Sequence, residues 1–303
     1  MSLNKQIWVK QIMNGFYPDR SFLNKVVSFN DFVEGDTLHI PSAGIDPEVL
    51  INNTTYPIPI VSREDTDNEI TLDLFETQNT YIRRPEAIEY SYDKLESVIY
   101  QHRSTLQAST SKKAAHAFAP LKDTDKTPVI LTSGEITNGR KRMTFEDLLR
   151  LKERFDNALI PLEDRYIILH PSHVTDLLLE DVKLFKQLTD IVDGEPMRFA
   201  GFGCYQFPFM PTYSEIDNVL TKIPFDETQS DNFASVAFQA KEVMKADGEI
   251  HMYSRYDDPE ERATIVGFDK RFIAMPIRNM GIGAIVSATV EQSENEENGD
   301  DTE

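Results

Sequence analysis

From Tyr92 to Ala119 the chain contains neither glycine nor proline, and Pro120 closes the stretch. The segment YDKLESVIYQHRSTLQASTSKKAAHAFAP sets Leu95, Ile99, His102, Leu106, Ala114, Ala117 and Phe118 near one stripe, at spacings of three, four or their sums. Proline lacks the backbone donor that the next turn needs, so the helix must end there. If unbroken over 93–119, it is a rod roughly 40 Å long at 1.5 Å per residue. The ASTS stretch, 108–111, is its weak point, where the helix could break and Ser111 could cap a second one. A rod this long with so modest a stripe calls for a fold that covers only part of it.

Upstream, the pattern is one of strands. YPIPIV (56–61) carries two prolines and fits an edge strand, since each proline removes a ladder donor. EITLDLF (69–75) alternates Ile70, Leu72 and Leu74 against Thr71 and Asp73, which predicts one buried and one wet face. Between them SREDTDNE reads as a polar turn. The expected object is a long two-stranded projection with a charged tip: Arg63, Glu64, Asp65, Asp67 and Asn68. A lone hairpin is marginally stable in water, so such a projection suggests a partner surface. Residues 1–35 read as an arm with one short amphipathic helix (Ile7, Trp8, Ile12, Met13) that stops near Gly15 and Pro18. With Phe16, Tyr17 and Phe22 as well, this arm must dock on its own body or on a neighbour.

Downstream, TFEDLLRLKERFDNALIP predicts a helix capped by Thr144, with Glu146 and Asp147 suiting its dipole and Phe145, Leu148, Leu149, Phe155 and Leu159 inward. RYIIL (165–169) reads as a buried strand. HVTDLLLEDVKLFKQL reads as a helix with Val174, Leu177, Leu178, Val182 and Phe185 inward. MRFAGFGCYQFPFMP (197–211) is a strand region, while ASVAFQAKEVMKA (234–246) is helix or strand by pattern alone. EIHMYSRY (249–256), DDPEE and ATIVGFDKRFIAMPI (263–277) form a hairpin, and GIGAIVSATV (281–290) is a last strand. Helices and strands mix without βαβ alternation, so the class is α+β.

The chemistry-bearing residues are sparse. His170 and His173 flank Pro171-Ser172, an i, i+3 pair across a proline, whereas two metal ligands on one helix want i, i+4. Pro171 can hold a first helical turn and Ser172 can cap it, which gives a structural reason for the motif. GFG (201–203) lacks the third glycine of a dinucleotide loop, and Cys204, the single cysteine, sits in an apolar run as a buried thiol. The basic triplet 140–142 offers an anion site or, more simply, a solvated loop. No nucleophile elbow, phosphate loop or paired-carboxylate motif is present, so no catalytic residue, metal or cofactor is expected. The net charge of −20 opposes nucleic-acid binding by phosphate neutralisation. Seven of those charges lie in EQSENEENGDDTE (291–303), expected to be a disordered tail, which leaves −13 on the body. The most apolar segment, FIAMPIRNMGIGAIVSATV, is interrupted by Pro276, Arg278 and Asn279, so no membrane span is expected.

The order of these pieces resembles the major capsid proteins of tailed bacteriophages, the Hong Kong 97-like fold. The resemblance rests on VEGDTLHIPSAG leading into the projection, YSYDKLESVIYQHRSTLQ as the spine helix, and IPLEDRYIILHPSHVTDLLLED followed by RFAGFGCYQFPFMP. FDKRFIAMPIRNMGIGAI supplies the closing strands. It implies an N-terminal arm (1–35), an extended loop (36–82), and a peripheral domain with the spine helix (83–120 and 249–290). An axial domain (121–248) completes it. The implied function is structural: pentamers and hexamers of a homo-oligomeric icosahedral shell enclose double-stranded DNA without sequence-specific binding, in a virion assembled in the host cytoplasm. A separate scaffolding protein and a portal are the implied partners, and no lysine–asparagine cross-link is expected. The arm residues Ile7, Trp8, Ile12, Phe16 and Tyr17 and the loop-tip residues are then the inter-subunit contacts. An encapsulin-type compartment is the nearest alternative, and a metal-dependent hydrolase built on His170 and His173 is the alternative of another class.

Overall fold

A computed structural model describes residues 16, 21–34, 37–42, 66–83, 94–181, 191–192, 195–196, 198–216, 219–227 and 232–289. They divide between two units, one drawn from Ser28–Leu106 and Lys245–Ile273, the other from Gly15–Val27, Gln107–Met244 and Ala274–Glu303. Helix α1 (Lys94–Phe118) is continuous through the ASTS stretch. Thr110 and Ser111 are both buried there, and Thr110 Oγ1 donates to Gln107 O at 3.1 Å. A hydroxyl satisfied inside the helix has no need of a cap, and of the two outcomes the sequence left open the helix takes the unbroken one.

In the first unit, the strands Val243–Asp258 and Ala263–Pro276 form a hairpin, and Asp73–Glu76 and Thr80–Arg83 both add to the second of them. The first part of α1 buries Val98, Ile99 and His102. The His102 ring lies 5.1 Å from Phe268, and its Nε2 is hydrogen-bonded to Thr80 Oγ1 at 3.1 Å. A separate sheet is made by Val33–Glu34, Thr37–Ser42 and Thr66–Thr71.

That sheet corrects two expectations. The partner of the 66–71 strand is Thr37–Ser42, and 56–61 lies outside the described residues. Asp67 and Asn68 therefore sit in a strand, opposite Pro41 and Ile40, and not in a turn. The strand also breaks at Leu72, because Thr66–Thr71 and Asp73–Glu76 ladder to different sheets. Leu72 is buried, but Leu74, beyond the break, is 45% exposed. Ile70, Leu72 and Leu74 thus share no single buried face.

The second unit is built on a six-stranded sheet in the order Arg198–Phe199, Phe202–Gln206, Arg165–Leu169, Ala234–Gln239, Ile282–Val286, Val129–Leu131. RYIIL is fully buried, parallel to Phe202–Gln206 and antiparallel to Ala234–Gln239. One core gathers Leu148, Leu151 and Phe155 of helix α2 (Phe145–Asn157) and Val174 and Leu177 of helix α3 (Pro171–Glu180) with Ile167, Phe202 and Ile285. Gly283 is required there: a Cβ would stand 2.6 Å from Phe155 Cε2. Phe118 from the end of α1 contacts Phe238 at 5.4 Å and Phe22 at 6.4 Å. Phe22 and Leu23 of the short 3-10 turn Phe22–Lys25 are buried in the same unit. This part of the arm docks on its own body.

Local chemistry explains the helix ends. Thr144 caps α2 as expected, in a capping box whose acidic member is Asp147. Asp147 is fully buried and also accepts Ser133 Oγ at 2.7 Å and Ser133 N at 3.2 Å. Replacing Asp147 with alanine leaves these donors unpaired and is expected to cost about 2–3 kcal/mol, read from the denaturant midpoint of the subunit. The inward face of α2 differs from the expected one, since Leu149 and Leu159 are exposed and Leu151 is buried. Positions 148, 151 and 155 form the stripe that meets the sheet, and 149 falls on its flank. At α3 the cap is His170 and not Ser172: its side chain accepts from Ser172 N, with Pro171 as the first helical residue. The helix stops at Glu180, Asp181 is extended, and the expected continuation through Val182 and Phe185 lies outside the described residues.

Candidate assembly surfaces

The residues expected to touch neighbours are only partly described. Ile7, Trp8, Ile12, Tyr17, Arg63, Glu64 and Asp65 lie outside the described residues, as do the side chains of Asp67 and Asn68. Phe16 is 3% exposed within its own chain. Its ring is committed to the subunit's core, which corrects its assignment as an inter-subunit contact.

The histidine motif is a packing device. His173 is fully buried, with Nδ1 hydrogen-bonded to Ser235 Oγ at 2.7 Å and Nε2 to Ser287 Oγ at 2.9 Å. His170 stacks on Phe233 at 3.9 Å, and its Nδ1 accepts the α3 cap bond. Burial, helped by the charge of Arg140, pushes His170 down to about 4. His173 is held well below the ordinary histidine value by burial, then by His170 and Arg140. Both rings are neutral at pH 7, and three of their four nitrogens are already engaged. Among the described residues no group of three or more His, Cys, Asp or Glu could hold a metal ion. The Cys204 thiol is buried and pushed up to about 12, far from a nucleophile's range.

The basic triplet belongs to a hairpin. Ile136–Thr137 pairs with Arg140–Lys141 around Asn138 (φ 53°) and Gly139 (φ 75°). Asn-Gly at the centre of a two-residue turn is a readable signal that the sequence reading passed over. Arg140 is spent on Asp176 in a bidentate pair at 2.6 and 2.9 Å. Arg142 lines a groove of about 310 Å³ with Met143, Thr144, Asp176, Leu179 and Glu180. Its Nε is buried with no hydrogen-bond partner, and Leu179 at the groove is 63% exposed.

At the other end of α2 a second exposed apolar feature stands out. Leu159 is 87% exposed and holds φ at 55°, and Leu162 is 63% exposed. Leu159 N donates to Asp156 O at 3.0 Å and Ile160 N to Phe155 O at 3.2 Å, the bonding of a left-handed helix stop that usually carries glycine. In the first unit Leu74, Tyr81 and Tyr253 are also open to solvent. Periodicity alone could not have marked these residues, because it assigns every leucine to a core. Among the described residues no helix is long and apolar enough to cross a membrane.

The fold is the α+β Hong Kong 97-like fold, an architecture of protein shells. The chain is similar to the capsid of the cyanophage P-SCSP1u at 15% identity, over 88% of this chain and 87% of that one, with a TM-score of 0.61. It is similar to a structure from Mycobacterium phage Che8 at 13% identity, over 88% and 90%, with a TM-score of 0.60. It is also similar to the SrpI encapsulin of Synechococcus elongatus PCC 7942 at 10% identity, over 92% and 90%, with a TM-score of 0.57. No family model and no curated protein sequence matches the chain.

Proposed function

We propose that this chain is the repeating structural subunit of a viral capsid, assembling as pentamers and hexamers into an icosahedral shell around double-stranded DNA. The observation that carries the proposal is the shell fold, matched over nearly nine-tenths of the chain to a cyanophage capsid and to a mycobacteriophage structure. Exposed apolar side chains on both units give it surfaces to bury on neighbours, at roughly 25 cal/mol per Å² before association costs. Those contacts must outweigh the repulsion between chains carrying −20 each. The same acidity suits a wall along which DNA moves without sticking. A scaffolding protein and a portal are the partners this reading requires, and the virion is its location.

The encapsulin likeness favours a second reading, a compartment that holds a protein cargo. Nuclease-protected DNA in purified particles supports the capsid. Particles that reproducibly contain a protein cargo and no DNA support the compartment.

The arm residues Ile7, Trp8, Ile12 and Tyr17 and the loop-tip residues Arg63, Glu64 and Asp65 are proposed to lie on neighbouring subunits. Because Phe16, Phe22 and Leu23 are core residues of their own unit, an arm truncation has to stop before them. Removing residues 1–14 is expected to lower the melting temperature of particles while leaving that of dissociated subunits unchanged. Equal shifts in both would refute an inter-subunit role for the arm.

A further inference from the structure

Two unsatisfied features sit at opposite ends of α2 in the second unit. At its start the groove presents Met143 and exposed Leu179 together with the unpartnered Nε of Arg142. Just past its end, Leu159 and Leu162 project, followed by exposed Glu163. The helix between them has thirteen residues, which separates the two features by about 20 Å.

Leu159 holds a left-handed conformation that costs a branched side chain and would suit glycine, and it makes almost no use of its side chain within the subunit. A strained, 87% exposed leucine is a reason to look for a receiver outside the chain. The groove, about 310 Å³, has room for large apolar side chains, and its acidic Glu180 is already committed to Phe145 N. Glu135 remains at the rim, but half-buried Arg142 is the one cation of the lining, with its Nε unpartnered, and Glu163 brings the opposite charge.

We infer that the Leu159–Glu163 knob of one subunit seats in the Arg142–Leu179 groove of a second copy of this chain. This rests on the shell reading above and specifies which surfaces meet. A groove cannot fill a groove, so the contact is heterologous: each copy offers its knob to one neighbour and its groove to another. Such a head-to-tail contact closes into a ring when the rotation per copy divides a full turn, which a pentamer or hexamer requires. The ring runs along the direction of α2.

A chain carrying both Leu162→Cys and Leu179→Cys tests the contact. The only native cysteine, Cys204, is buried and silent towards mild oxidants. Oxidised particles of the double variant should give a ladder of disulfide-linked species that ends at a closed ring, and each single variant should stay monomeric under denaturation. Particles that form but give no ladder overturn the proposal. Should the double variant fail to assemble, Leu159→Gly decides. It relieves the backbone while removing the knob, so the subunit should be at least as stable, yet need about tenfold more protein to assemble. Unchanged assembly by Leu159→Gly overturns the knob. A native chain that stays monomeric at every concentration removes the shell reading itself.

Discussion

Replacing Arg165 with alanine is expected to lower the unfolding free energy of the subunit by about 3–5 kcal/mol, enough to threaten folding of the second unit. Arg165 opens the buried RYIIL strand and is 1% exposed. Its guanidinium donates through Nε to Pro161 O at 2.9 Å, through one terminal nitrogen to Asp156 Oδ1 at 2.7 Å, and through the other to Ile160 O at 2.6 Å. It also lies over the Phe155 ring at 5.6 Å. Removing it leaves the buried Ile160 carbonyl and the partly buried Pro161 carbonyl, just beyond α2, without their donor and opens a cavity beside a core phenylalanine. Arg165→Lys should recover only part of the loss, since an ammonium cannot reach three acceptors in a planar fork. Chemical denaturation monitored by tryptophan-independent far-UV circular dichroism reads the effect. A loss under 1 kcal/mol would mean that the three hydrogen bonds are not made.

Acidification from pH 7 to pH 5 is expected to destabilise the subunit measurably through His170 and His173. Both are bases whose folded-state pKa is depressed, His170 to about 4 and His173 well below its ordinary value, in each case first by burial. Well above pH 6.5 the rings are neutral in folded and unfolded chains, so they add no pH dependence. As pH falls through 6.5 the unfolded chain takes up protons that the folded one refuses. The fold then loses stability progressively through each ring, for His170 down to about 4 and softened by that ring's partial exposure. The charge of Arg140 faces both rings and opposes their protonation further. Stability measured at half-unit steps between pH 7 and pH 5 should fall steeply, and His173→Gln should halve the slope whatever it does to the absolute value. A flat native profile over that window would contradict the neutral, buried pair.

Much of the architecture was legible because it is local. Thr144 and Asp147 write a helix start, RYIIL writes a strand buried on both sides, and Pro120 writes a stop. The two long strands around Pro259–Arg262 were equally plain. What misled was local patterning applied across a non-local boundary. Ile70, Leu72 and Leu74 alternate perfectly, yet the chain leaves one sheet for another at Leu72, and alternation carries no meaning across that break. Likewise Leu149 and Leu151 both fit a helical stripe, and only the position of the sheet decides which one is buried.

By itself the sequence determined most of the order of helices and strands, the Thr144 cap and the Pro120 stop, the acidic character of the body, and the absence of a recognisable catalytic motif. Each follows from backbone sterics, hydrogen-bond donors and charge within a few residues. Only the tertiary structure decided that Thr66–Thr71 pairs with Thr37–Ser42, that His170 and His173 are locked neutral between serines and Phe233, and that Phe16 belongs to its own subunit. It alone separated the leucines that fill a core from Leu159, Leu162 and Leu179, which do not. The physical reason is that burial depends on what arrives from distant parts of the chain, and a leucine left without such a neighbour looks the same in sequence as one that has found it.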